Sequence, residues 1–338
     1  MNVKRTHRNW TARILAACIA VTFMAFGAGC SESEQTYAWI LATASPEDTV
    51  TQLYAEKFAE EVYRLSGGEM EIEIYSNSSL GGDTELLESV MCGDIPFVVQ
   101  NTAPQVSYFP RLCLFDLPCV FDNLDDLHEV LDNEEFMEKI NEIYAEKGVT
   151  LLGMSDQNYR VMTSNVRVEE LSDFSGIKIR TMENSYHMAF WKAIGANPTP
   201  MSFSEVYIGL QQNTIDAQEN PYEVIVSNKF YEQQKYVIQT NHLPHLLSLI
   251  TNSEFLEGLT EEQQEIIAEA AATACEYARE QAAERVEERI ATCEENGCEV
   301  VEISDELWEE MKAASADLYE EIRQVVDDDE LYYMYVGE

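Results

Sequence analysis

Glu69-Met-Glu-Ile-Glu-Ile-Tyr75 alternates strictly, placing Met70, Ile72 and Ile74 on one face and glutamates between them. A period of two marks a half-buried strand. Just upstream, Val50, Leu53, Tyr54, Phe58 and Val62 recur at helical spacing until Gly67-Gly68 stops the pattern. Ser45-Pro46-Glu47-Asp48 reads as the helix start, with proline in the first turn. Before that, Tyr37-Ala-Trp-Ile-Leu-Ala-Thr43 is a short apolar run that reads as a buried strand. Residues 37–75 are therefore strand–helix–strand, the building block of a parallel sheet.

The same grammar continues outward. Gly81-Gly82-Asp83 leads a helix carrying Leu86, Leu87, Val90 and Met91, and Ile95 to Val99 reads as a strand. Leu124 to Lys147 is mainly helical, Gly148 ends it, and Val149 to Leu152 follows as a strand. Gly176-Ile-Lys-Ile-Arg180 is a strand with Ile177 and Ile179 on one face. Asn184 to Ile194 is a helix closed by Gly195, and Ser204 to Gln212 is another, with Val206, Ile208 and Leu210 turned inward. This alternation predicts an α/β fold.

The C-terminal third departs from it. Thr260-Glu-Glu-Gln263 is a capping-box pattern, and no proline or glycine occurs from there to Cys293. Ile267, Ala271, Ala274, Ala278, Ala282, Val286 and Ile290 recur every three to four residues. One helix of about 33 residues, about 50 Å long, results. An alanine-rich stripe suits close packing on the chain's own body better than a leucine-rich coiled coil.

Composition narrows the function. The 338 residues carry 62 acidic and 21 basic side chains, a net charge of −41. Nucleic-acid binding needs a basic face, and docking on an anionic membrane by charge needs one too. Both are excluded as the protein's business. Length and 46% hydrophobic content suit two ordinary domains. The first 29 residues are a separate object: Lys4, Arg5, Arg8 and Arg13 precede the apolar run Ile14 to Phe26. That run is short of the roughly 20 residues a membrane span requires, and the order reads as an export signal. Gly27-Ala-Gly-Cys30 resembles a lipoprotein processing site, with Gly27 standing where a large aliphatic residue is usual. Cys30 is the expected lipidated mature N-terminus; an ordinary cleaved signal with Cys30 incidental is the alternative. Six further cysteines permit disulfides outside the cytoplasm, with Cys113/Cys119 and Cys293/Cys298 close in sequence.

Catalytic signatures are missing. There is no Gly-x-Ser-x-Gly, His-Glu-x-x-His or phosphate-loop sequence. His242-Leu-Pro-His245 has metal-like spacing, but Pro244 breaks the helical face such a pair would need, so no metal is expected. In so acidic a chain, arginines near strand ends carry the information. Arg180 closes its strand, and ligands of open α/β sheets bind at the carboxyl ends of strands. A guanidinium fork matches a carboxylate. Arg160, in Asp156-Gln-Asn-Tyr-Arg160, precedes another apolar start. On the residues alone, each arginine could equally be a surface cation paired with an acid.

The stretch Gly176-Ile-Lys-Ile-Arg180-Thr-Met-Glu-Asn, then Ala196-Asn-Pro-Thr-Pro-Met-Ser-Phe-Ser-Glu-Val-Tyr207, Asp216-Ala-Gln-Glu-Asn-Pro221 and Lys229-Phe-Tyr-Glu-Gln-Gln-Lys-Tyr236, resembles the DctP-type solute-binding proteins of TRAP transporters. Lys57-Phe-Ala-Glu60, Asn77-Ser-Ser-Leu-Gly-Gly-Asp83 and Asp116-Leu-Pro-Cys-Val-Phe121 extend the likeness over residues 36–325. The resemblance implies a periplasmic-binding-protein-like α/β fold of two domains with a long bridging helix. Residues 36–154 would form the first part of domain I, 155–245 domain II, and 246–338 a return to domain I carrying the long helix.

It further implies that Arg180 pairs with the ligand carboxylate, and that Arg160 and Asn220 add donors. Around Arg160 the family more often has Asn-Gly-aromatic-Arg, where this chain has Gln157-Asn158-Tyr159-Arg160. Glu85 and Phe203 lie in matching motifs as pocket-lining candidates, with helix capping and core packing as their respective alternatives. The implied ligand is a small organic acid: a dicarboxylate, another carboxylate, a sugar acid or a sulfonate. The implied partners are TRAP membrane permease subunits, with no cofactor and with membrane contact only through the N-terminal lipid. Rival readings are a ligand-sensing binding protein and a secreted enzyme on the same fold.

Overall fold

The computed structural model describes residues 37–337. The expectation of a lipidated Cys30 and a leader over residues 1–29 lies outside them. Nine strands among the described residues build one mixed sheet. They are β1 (Tyr37–Ala42), β2 (Met70–Tyr75), β3 (Phe97–Asn101), β4 (Val149–Ser164), β5 (Lys178–Thr181), β6 (Asn197–Pro200), β7 (Ala217–Asn220), β8 (Tyr236–Asn252) and β9 (Glu299–Glu302). Their order is β2-β1-β3-β8-β4-β7-β5-β6, with β9 beside β8. Parallel pairing occurs at β1–β3, β5–β6, β5–β7 and β8–β9. The middle is antiparallel, where β8 pairs β3 and β4, and β4 pairs β7.

The 16-residue β4 and 17-residue β8 tie the two ends of the sheet together. Sequence patterning marks only the first residues of β4 and none of β8. Both strands are buried over most of their length, so alternation is absent. Their polar centres also look like loops. In β4 these residues coincide with register shifts between Asp156 and Tyr159 and between Arg160 and Met162. Such bulges bend a strand and re-aim its side chains.

The other expectations shift locally. Thr49, not the Ser45–Asp48 segment, caps the helix Val50–Leu65, its Oγ1 accepting from the Gln52 N–H at 3.3 Å. The expected helix over 124–147 is two helices, Leu124–Leu131 and Glu134–Ala145, because Asn133 caps the second through the Phe136 N–H at 3.1 Å. Ile208, expected inward, is 48% exposed, since its helix is only Val206–Gln211 and its buried face is Val206, Gly209 and Leu210. The prolines of β6 disguise that strand in the sequence; they are tolerated because β6 lies at the sheet edge.

The long helix is Glu261–Glu295, with the Thr260/Gln263 capping box formed. At 35 residues it runs about 52 Å. It packs on the helix Val50–Leu65, on β4, on the helix Tyr222–Ser227 and on β9, and so ties together elements from both halves of the chain. Ala270, Ala271, Ala274, Ala278 and Ala282 form its buried face. Small side chains permit the close approach. At Gly153 on β4, a Cβ would lie 2.8 Å from the Tyr54 hydroxyl and 3.7 Å from the Ala271 carbonyl oxygen. The sequence-adjacent cysteine pairs are not bonded: Cys92, Cys113, Cys119, Cys275, Cys293 and Cys298 are free thiols.

Candidate ligand-binding site

β5 delivers Arg180 to the carboxyl end of the sheet, in register with Gln218 on β7 and Thr199 on β6. The side chain is 2% exposed. Its Nε and Nη2 both donate to the Met201 carbonyl, at 3.0 and 2.7 Å. Its guanidinium carbon lies 6.0 Å from the centre of the Phe203 ring. No carboxylate among the described residues pairs with it. Burial pulls its pKa down to about 10, opposed by the Glu219 charge and reinforced by that of Arg160.

Two adjoining cavities meet at Arg180, sharing Ala44, Asp83, Arg180, Met182 and Phe203. The inner, of about 40 Å³, is completed by Ser45, Asn101, Asn220, Val224 and His245. The outer, of about 240 Å³, opens past Gly82, Thr84, Glu85, Glu183 and Ser202. An inner recess of that size holds a small polar group, and the outer one holds the rest of a small molecule.

Arg160 lies one layer behind this wall. The resemblance implies a donor to the ligand; the structure buries the side chain and bonds each of its three nitrogens within the protein. Its Nε bonds the Glu219 carboxylate. Its Nη2 donates to Glu219 Oε1 and to the Glu219 carbonyl, each at 2.7 Å, and to Asn220 Oδ1 at 3.2 Å. Its Nη1 bonds His245 Nδ1. Arg160 and Glu219 are 1% and 0% exposed. Burial raises the Glu219 pKa, but the Arg160 charge and hydrogen bonds from His242 and Arg160 outweigh it and hold the group well below the usual carboxylate range. Asn158 has φ +66°, the left-handed conformation for which the family's glycine is suited and which asparagine tolerates.

This arrangement sets the chemistry of the cavity. A guanidinium has no acceptor, so His245 Nδ1 must accept from Arg160, which leaves the proton on Nε2. Burial, then the Arg160 charge, keeps the imidazole neutral by lowering its pKa well below the ordinary value. His245 thus presents a fixed Nε2–H donor on the inner cavity, where it is a lining residue. Asn220 donates one amide hydrogen to Gln218 Oε1 at 2.6 Å and lines the same recess. His242 and His245 do not form a metal pair. His242 Nε2 bonds Glu219 at 3.2 Å and its Nδ1 bonds Thr240 at 2.8 Å. Among the described residues no cluster of three or more metal-ligating side chains occurs.

Glu85 combines its two sequence readings: Oε2 accepts from the Gly82 N–H at 3.0 Å, capping the helix Asp83–Cys92, and the residue lines the outer cavity. Phe203 lines both cavities and packs edge-on to Phe230 at 6.2 Å. Asp83 and His245 are lining groups that sequence reasoning misses. In sequence Asp83 is a helix start, and His245 suggests only a metal ligand.

Residues 41–324 match the family described as "Bacterial extracellular solute-binding protein, family 7", DctP. The chain belongs to the DctP family of TRAP-type extracytoplasmic solute-binding proteins. It is 32% identical over 311 residues to a solute-binding protein of Roseobacter denitrificans, covering 91% of this chain and 95% of that one. It is 30% identical to the C4-dicarboxylate-binding periplasmic protein DctP of Rhodobacter capsulatus, covering 89% and 92%. The crystal structure of the sugar acid binding protein of Advenella mimigardefordensis in complex with galactonate superposes with a TM-score of 0.85 at 28% identity, over 90% of this chain and 97% of that one. The DctP fold, with its single mixed sheet and long helix, is therefore this protein's fold.

Proposed function

We propose that this DctP protein captures a small organic acid in the cleft around Arg180 and delivers it to TRAP permease subunits in the membrane. It works by binding and release, without turnover. The observation that carries this reading is a guanidinium only 2% exposed, held on one edge by the Met201 carbonyl, facing two cavities and lacking any carboxylate partner among the described residues. Burying an unpaired charge is unfavourable unless something binds it. A ligand carboxylate supplies the missing partner, with His245 Nε2–H and Asn220 as neighbouring donors. Arg160 acts indirectly, fixing the His245 tautomer and the Asn220 amide.

In this reading residues 36–154 and 246–338 make one lobe and 155–245 the other. The cleft draws Ala44, Asp83 and Asn101 from the first and Arg180, Phe203 and Asn220 from the second. The bulges of β4 near residues 156–162 provide the bend for closure, which excludes water and strengthens every polar contact. Export followed by lipidation at Cys30 would hold the protein at the outer face of the membrane. Among the described residues no helix is long and apolar enough to cross it.

A thermal-shift screen of organic acids tests the reading. An acid present at 100 times its dissociation constant adds about 2.7 kcal/mol of stability. Stabilisation by one or more small carboxylates, lost in Arg180→Ala, is expected. Absence of stabilisation across carboxylates, sugar acids and sulfonates would overturn it.

A further inference from the structure

The charges lining the cleft are unequal. Among the described residues, Arg180 is the one lysine or arginine lining the two cavities, whereas Asp83, Glu85 and Glu183 line the outer one, and Asp83 borders both. The second arginine that could have gripped another carboxylate, Arg160, is sealed behind the wall on Glu219. Beyond Arg180 the outer lining holds no lysine or arginine and offers Ser78, Thr84 and Ser202 hydroxyls beside the acids. Among the described residues, no other side chain hydrogen-bonds or ion-pairs with the Asp83 carboxylate; the hydrogen bond it accepts comes from its own backbone N–H. The residue is partly exposed and lines both cavities. Burial lifts its pKa to about 6, opposed by the Arg180 charge and by that backbone hydrogen bond.

We propose that Asp83, with the acidic rim of Glu85 and Glu183, makes this site selective for polyhydroxylated monocarboxylates over dicarboxylates. The inference rests on the carboxylate reading above. Arg180 neutralises one carboxylate. The remainder of the ligand then enters a chamber whose acidic side chains are Asp83, Glu85 and Glu183, and Asp83, which has no side-chain partner, accepts hydrogen bonds. Hydroxyls of a sugar acid donate to Asp83 and exchange bonds with Ser78, Thr84 and Ser202. A second carboxylate in the same place meets like charges with no cation to offset them, and like charges within a few ångströms in a partly desolvated cleft repel strongly. Discrimination thus comes from an unfavourable contact as well as a favourable one.

The test is calorimetry with two ligand sets on the mature protein: D-galactonate, D-gluconate and D-glucuronate against succinate, L-malate and fumarate. At least one hydroxylated monocarboxylate should bind tenfold or more tighter than every dicarboxylate. Asp83→Asn should weaken that ligand tenfold or more and narrow the gap. Glu183 is exposed, so Glu183→Gln should leave the thermal midpoint unchanged while strengthening dicarboxylate binding severalfold. A dicarboxylate binding within tenfold of the best sugar acid overturns the inference and leaves Arg180 as the carboxylate anchor intact. Binding of both ligand sets by both variants at wild-type affinity overturns it in the same way. If no acid of either set binds while another carboxylate in the wider thermal-shift screen does, the inference falls and the carboxylate reading stands; if nothing in that screen binds either, both fall.

Discussion

Replacing Arg180 by methionine separates a binding role from a structural one, because the structure gives the two opposite signs. Among the described residues no acid pairs with the buried guanidinium, and burial brings its pKa down from the ordinary arginine range to about 10. For a base, a folded-state pKa below the unfolded value is a penalty on the folded state wherever the group is charged, hence at all pH values below about 10. Its size is roughly 3 kcal/mol. Methionine removes that penalty and fills similar volume. Against this, the Met201 carbonyl loses both its donors, which costs about 1–3 kcal/mol. The contact of the cation with the Phe203 ring is also lost, a further ~0.5–2 kcal/mol. The terms nearly cancel, so the unfolding free energy in urea should change by no more than about 2 kcal/mol. Ligand binding should behave quite differently. Stranding a desolvated ligand carboxylate costs about 2–5 kcal/mol, or roughly a 30- to 4,000-fold loss of affinity. Arg180→Lys keeps the charge but not the fork, so it should recover only part of that loss. Titration calorimetry with the best acid from the screen, alongside urea unfolding of the same samples, reads both effects. The reasoning is refuted if Arg180→Met binds within threefold of the wild type. It is equally refuted if the variant loses stability by more than about 4 kcal/mol, which would make Arg180 a structural strut.

Arg160→Ala should destabilise the protein by about 3–5 kcal/mol in urea, since it leaves Glu219 charged and buried without its partner; a loss below about 1 kcal/mol would contradict the buried pair. Because the Glu219 pKa is held below its unfolded value, its contribution to stability is complete above the unfolded carboxylate range near pH 4.5 and lost as pH falls further. The stability difference between wild type and Glu219→Gln should therefore be greatest at neutral pH and shrink between pH 5 and about pH 3, as followed by urea unfolding across that range; a constant difference would contradict the shift. Among the six described thiols, Cys92 is exposed and burial raises the pKa values of the other five. In the native protein starting after Cys30, a thiol reagent should modify one site quickly and all six after unfolding; a fast phase that survives Cys92→Ser, or fewer than six thiols after unfolding, would contradict this.

Much of the scaffold is legible because its elements carry their own signals. Met70 and Ile72 alternate into the core, Asn184 and Gly195 bracket a helix, and Thr260 and Gln263 close a capping box on a helix without proline or glycine. Arg180 is legible for a related reason: a cation ending an apolar strand has few places to go but the sheet's carboxyl edge. The central strands are not legible. Asp156 to Arg160 and Asn241 to His245 read as polar breaks, yet they are strand residues, and Arg160, His242 and His245 bond partners far along the chain. The role of Arg160 depends on Glu219, 59 residues away, and that of His245 depends on Arg160, 85 residues away. No local pattern encodes such pairs. Asp83 shows the same limit from the other side. Locally it begins a helix, and only the folded chain places its carboxylate in the cleft with Arg180.

The most direct test is a crystal structure of the mature protein with a bound organic acid. The account predicts the ligand carboxylate within about 2.7–2.9 Å of two Arg180 nitrogens, with its far end toward Asp83. A bound carboxylic acid whose carboxylate sits on another cation, or an Arg180 still without a carboxylate partner while that acid is bound, would contradict it.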